Sequence, residues 1–389
     1  MRSGRGSRGQ GSRLLPLIAV IACSAQPRAL VRQQSSVDAA TDAADAGIED
    51  LCPPLQEFPL AGPSQLSFLA PSTRDASGLT WVDPAGTRHL AEFDARGQEL
   101  PGRVTLGGEL DVFFPFLAAR SEGGGWWVAF HNHRRAGKWR VYLTQTEAGV
   151  SPDRIVENSA AISPPDAPES QRPIMLHRSG DLLVTYREDA SVVLVSLDAD
   201  GNERLRGSQD LGAINPWPRV LFPLANGDTF VSVRNSLRPE PHRYRHLHFD
   251  RDHQFVATVL DERVLASDET LTEDGMIAAT VDEEAPGTLR LRWFAQDGSP
   301  SREANVDVGE PVSEVEVAAG NGLGVLARVE GGLRYLRLGP NGDVRSRALV
   351  HEGDADRLSL APTADGEFLL AWSDPSRTPP TAFVASCPR

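Results

Sequence analysis

The sequence predicts an all-β protein assembled from one repeated four-stranded unit. Three observations carry this expectation. Gly (35) and Pro (29) are scattered along the 389 residues rather than gathered in one tract, as a chain of many tight turns requires. Beyond Cys52, short β-rich runs alternate with Gly, Asp, Asn and Pro clusters, and no long helical periodicity interrupts them. Finally, one frame recurs at a spacing of roughly 45–50 residues.

The frame is clearest in "RPIMLHRSGDLLVTYREDASVVLVSLDADGNERL": apolar strand, Gly-Asp turn, second strand, short loop, third strand, Asp-Gly turn, fourth strand. Its first turn returns as "ANGD", "EDG", "GNG" and "ADG", each ahead of an apolar run. Its later turn returns as "DARGQE", "TEAGVS", "DADGNE", "DRDHQF", "AQDGSP" and "GPNGDV", with His253 where the others carry Gly97, Gly149, Gly201, Gly298 and Gly342. Asp-Gly and Asn-Gly favour the tight turns that join antiparallel strands. First strands are expected near Gln65, Asp111, Pro173, Arg219, Asp268, Val312 and Asp356.

Seven four-stranded units of this length resemble the blades of a β-propeller. The resemblance implies a single seven-bladed domain over 51–389, and a count of six or eight is the nearest alternative. A series of β-sandwiches is the other architecture, but each sandwich takes about 100 residues. The last unit, "DRLSLAP", "EFLLAWSD" and "TAFVASC", lacks a fourth strand, and "LCPPLQEFPL" precedes the first unit without a blade of its own. That segment is expected to complete the last blade. Cys52 and Cys387 then meet where other blades have a covalent hairpin, and a disulfide would take its place.

Residues 1–23 carry Arg2, Arg5, Arg8 and Arg13, then the apolar "LLPLIAVIA" and Cys23. The apolar run is too short to span a bilayer, so a secretory signal is expected. Val20-Ile21-Ala22-Cys23 resembles the lipobox of bacterial lipoproteins. The resemblance implies a signal peptide at 1–22, acylation of Cys23 and a membrane partner engaged through that lipid. Residues 23–50 would be a tether too polar to pack, and the address would be the cell envelope, at the outer membrane.

A formal charge of −14 argues against a nucleic-acid partner. Long segments fall on one face of such a ring, where second-to-third loops and blade connections lie. They carry His131, His133, Arg134, Arg135, Lys138, Trp217, Arg234, Arg238 and His242. Elaborated loops on a rigid scaffold are where ligands bind, and this basic, aromatic set suits an anionic or carbohydrate ligand; tolerated insertion is the plainer reading.

Other motifs carry little. "HNH" at His131–His133 lacks the rest of a nuclease metal motif, and His246 and His248 share a strand face without a completing ligand. "DADGNE" reads as a turn rather than a calcium loop. In "GGGWW", one of Trp126 and Trp127 is expected in the core and the other near the surface. No nucleophile elbow, phosphate loop or dinucleotide fingerprint occurs, so no catalytic residue, metal or cofactor is nominated. The expected role is a binding or scaffolding module for a protein or carbohydrate. The alternative is a carbohydrate hydrolase or lyase, which acid or His side chains converging on the ring centre would favour.

Overall fold

The computed structural model describes residues 52, 54–61, 66–71, 76–94, 96–106, 117–120, 126–131, 141–146, 160–163, 170–178, 181–212, 216–235, 241–363 and 366–387. Their strands form seven four-stranded sheets. Six run in chain order from an innermost strand outward; the fourth, for example, comprises Pro216–Pro223, Thr229–Asn235, His242–Phe249 and Phe255–Val264. The innermost strands are Leu66–Pro71, Leu117–Arg120, Ser170–Arg178, Pro216–Pro223, Ala266–Thr272, Val312–Gly320 and Asp356–Pro362. Each packs on the next, and Asp356–Pro362 packs back on Leu66–Pro71, which closes a ring. This is the β-propeller arrangement. The sheets are numbered below as blades in the order of these strands.

The closing blade joins distant parts of the chain. Pro54–Pro59 pairs antiparallel with Thr381–Ser386, Phe58 opposite Ala382 and Glu57 opposite Phe383. Beside this pairing, Cys52 and Cys387 form a disulfide with Cα atoms 4.9 Å apart.

The turn chemistry explains the repeat. In "DARGQE", "DADGNE" and "DRDHQF" the aspartates Asp94, Asp198 and Asp250 each accept two backbone N–H groups through Oδ1. The following left-handed position is Gly97 (φ 71°), Gly201 (φ 81°) or His253 (φ 60°). Asp198 is therefore a turn residue, occupied by its own main chain. Alternation does the rest: each strand sends one row of side chains to either neighbouring blade. Leu183, Val192 and Leu194 pack against Leu221, Val231 and Phe249 between blades 3 and 4. Ala279 and Leu291 meet Val315 and Val325 between blades 5 and 6. Trp126 and Trp127 are both buried, which corrects the expectation that one approaches the surface.

The expected strand starts also need correction. Blades 3, 4 and 5 begin at Ser170, Pro216 and Ala266, ahead of Pro173, Arg219 and Asp268. Pro216-Trp217-Pro218 reads as loop because proline donates no hydrogen bond. Yet these residues pair with Asn235, Arg234 and Val233, and a bulge before Val220 absorbs the irregularity. An innermost strand has one edge free of a ladder, where proline is tolerated. Asp111 lies outside the described residues, as do the expected signal peptide and tether.

Candidate functional site

Two adjoining features occupy the face that carries the second-to-third loops and the blade connections. The first is an aromatic–arginine set. Trp217 and Arg234 are register partners on neighbouring strands of blade 4, and the Arg187 guanidinium of blade 3 lies 5.9 Å from the centre of the Trp217 indole. A cation over an indole face is attracted by the ring quadrupole. Trp217 thus stands on a strand rather than a loop. Of the other expected residues, His131 ends the strand Trp126–His131, and His242 opens His242–Phe249, where it is buried. His133, Arg134, Arg135, Lys138, Arg238 and Cys23 lie outside the described residues. Arg187 was missed although a signal existed. It is the next-to-last residue of its blade's second strand, as Arg234 and Arg328 are of theirs.

The second feature is an ionic cluster on the innermost strands. The bulge at Pro218–Val220 releases Arg219 from the ladder. Its Nη2 lies 3.1 Å from Asp268 Oδ1 and 3.4 Å from Glu316 Oε1, spanning blades 4, 5 and 6. Asp268 Oδ2 also accepts the Val317 N–H at 2.8 Å. Farther round, Arg328 lies 3.4 Å from Glu314 Oε2 and 3.8 Å from Asp356 Oδ1, and donates to the Ala355 carbonyl.

Burial dominates the electrostatics here. It opposes the Arg219 charge, but Glu316, Asp268 and Glu269 outweigh it and hold the guanidinium protonated. Burial pushes the Glu316 carboxyl well above the usual range, and Asp268 adds to this. Asp268 is raised by burial and drawn partly back by Arg219. Glu314 is raised by burial. Glu269, on the other side of the strand from Asp268, is pushed up to about 7 by burial and by its acidic neighbour. One guanidinium thus serves several carboxyls, and burial favours the protonated form of those whose charge it does not offset.

A surface cavity of about 430 Å³ adjoins this arc. Ser313, Arg328, Glu330, Asp354 and Ala355 line it, so Arg328 belongs to both cavity and cluster. Among the described residues, no three His, Cys, Asp or Glu side chains are grouped to hold a metal ion. His246 is buried against Tyr244, and His248 pairs with Asp228 Oδ2 at 2.8 Å. No helix among these residues is long and apolar enough to cross a membrane.

The chain resembles, at 12% identity, the protein solved as the Dos1 propeller, with 86% of each chain covered and a TM-score of 0.51. That likeness shows the β-propeller fold and nothing finer. Two further structures align less well, each with a TM-score of 0.43. One is a subtype N10 neuraminidase-like protein of A/little yellow-shouldered bat/Guatemala, at 10% identity over 73% of this chain and 98% of that one. The other is the calcium-binding protein regucalcin from Agrobacterium tumefaciens, at 11% identity over 88% and 96%. Neither of these two carries an argument. No curated protein matches the sequence. No family model matches it either, which overturns the expected place in a lipoprotein family. A four-residue string in an Ala-, Val- and Ile-rich segment is too short to define one.

Proposed function

We propose that this β-propeller is a binding module of an oxidising compartment, the cell envelope, and that it takes its ligand on the loop-bearing face. The observation that carries the reading is the pairing of Trp217 with Arg234 beneath the Arg187 guanidinium. An aromatic plane flanked by arginines suits a carbohydrate ring or a protein side chain that bears an anionic group. The disulfide between Cys52 and Cys387 supports the compartment, because such bonds persist where thiols are not kept reduced. The test is glycan-array and pull-down screening of the full chain beside Trp217→Ala and Arg234→Ala. Loss of the retained ligands in both variants supports the site. An unchanged profile in both removes it.

A second reading, a carbohydrate hydrolase or lyase, draws on the convergence of Asp268, Glu314 and Glu316 near the ring centre. These acids are engaged by Arg219 and Arg328, which places them closer to a structural role than to free catalytic carboxyls. Turnover of any glycan that the screen retains, abolished by Glu314→Gln, would establish this second reading.

A further inference from the structure

We infer that Glu269 is a proton-operated latch in the wall between blades 4 and 5: it keeps its proton while the wall is closed and gives it up when the wall opens. The inference starts from what surrounds the side chain. Glu269 is 6% exposed, and no cation reaches its carboxylate oxygens in hydrogen-bonding geometry; the Tyr244 and Ser232 hydroxyls are the neutral donors beside it. An ionised carboxylate left in this way is among the costliest things a protein interior can hold.

Val312–Gly320, packed on its strand, brings only further acids, Glu314 and Glu316, and the cations around Glu269 are already engaged. On its own strand the neighbour is Asp268, a like charge. From Pro216–Pro223 comes Arg219, already shared between Asp268 and Glu316. From Thr229–Asn235 comes the Ser232 hydroxyl, which accepts the Val220 N–H and keeps one hydrogen to donate but brings no charge. From His242–Phe249 come Tyr244 and His246, whose side chains hydrogen-bond to each other at 2.5 Å. From Thr288–Ala295 comes Arg292, bound to Glu262.

Tyr244 sharpens the point. Its hydroxyl has one hydrogen to give, and Glu269 and the His246 Nε2 compete for it. Burial, with Arg292 nearby, lowers His246 to about 3 and keeps the imidazole neutral. A neutral ring supplies no positive charge to offset an ionised Glu269. The closed wall therefore suits the carboxylic acid, and burial with Asp268 alongside raises the pH at which the acid lets go.

The latch reaches the loop-bearing face through one row of the sheet. Tyr244 is the register partner of Arg234, and Arg234 is the partner of Trp217. A change in how Tyr244 packs is thus delivered to both residues of the aromatic–arginine set. The proposed ligand site would be formed best below neutral pH.

The test uses the full chain without ligand, so its outcome is independent of whether the proposed binding site is real. Carbon-13 NMR of Glu-labelled protein, assigned with Glu269→Gln, should show one carboxyl titrating near pH 7. If the Glu269 carboxyl titrates below about pH 5.5, near the ordinary glutamate value, the latch is refuted. Hydrogen exchange then reads the wall itself. After correction for intrinsic exchange, opening of Pro216–Pro223 and Ala266–Thr272 should rise by up to about tenfold per pH unit between roughly pH 5 and 7 in the wild type. Glu269→Gln should flatten that rise. Equal slopes in the two proteins overturn the inference. Should Glu269→Gln fail to fold, the carboxyl signal is assigned by its shift in Ser232→Ala, and the wild-type slope still decides: a flat profile refutes the latch.

Discussion

Cys52 and Cys387, 335 residues apart in the chain, are covalently joined at the edge of the sheet where Pro54–Pro59 meets Thr381–Ser386. The bond does the work of the hairpin that other blades have in their main chain. Loop-entropy arguments allow about 5–6 kcal/mol for so long a closed loop, with native strain and residual unfolded structure reducing it. Replacing both cysteines by alanine should lower the denaturant midpoint, and reductant should do the same to the wild type alone. The intact protein should also migrate faster before reduction than after. Equal midpoints with and without reductant would count against a stabilising clasp.

Arg219→Met should be severe. It leaves Asp268 and Glu316 without their cation, and breaking a buried pair from one side costs about 3–5 kcal/mol. Adding Asp268→Asn and Glu316→Gln to the same chain should recover a large part of the loss. The defect should also shrink on acidification, as the stranded carboxyls take up protons. Urea unfolding at two pH values measures both effects.

His246 and Glu269 act on stability in opposite directions as pH changes. The His246 value is lowered to about 3, so below about pH 6.5 the unfolded chain binds the extra proton. This residue then costs up to about 1.4 kcal/mol per pH unit as pH falls toward 3. The Glu269 value is raised to about 7, so its contribution is complete below about pH 4.5 and is lost as pH rises through 7. Thermal unfolding across this range should show the loss toward pH 3 softened by His246→Phe and the loss on the rise from about pH 4.5 to 7 softened by Glu269→Gln. The crossed result would contradict the assignments.

Gly207→Ala should destabilise although it adds one methyl group. Its Cβ would sit 1.6 Å from the carbonyl oxygen of His253 on the neighbouring blade. Because the obstacle is main chain, the two blades must separate, at a cost of about 1–3 kcal/mol or more. Chemical denaturation measures the loss, and Ser208→Ala, next in the same outer strand, is the control with little effect.

What could be read from sequence was whatever depends on local chemistry. The Asp94, Asp198 and Asp250 turns announce themselves because the acceptor and the left-handed residue are close neighbours. The Cys52–Cys387 link was legible because an unfinished last unit left a defined vacancy for a strand. Trp217 read as a loop residue, because flanking prolines mask a strand whose free edge needs no donor. The Arg219–Asp268–Glu316 cluster was not legible. Its members come from three blades, and only ring closure brings them together. His253 looked like a lapse in the glycine pattern; it is a buried imidazole laid against the main chain of Leu194 and Leu205 in the next blade.

The contacts of Asp268 and Thr270 have a wider consequence. Asp268 Oδ2 and Thr270 Oγ1 accept the Val317 and Ala319 N–H groups of the adjoining blade. Those donors lie on the side of Val312–Gly320 that has no strand beside it. Left bare, such a row is a template on which a foreign strand can add. Side chains of the neighbouring blade occupy these two donors, so the blade junction that holds Arg219 also blunts this strand against aggregation.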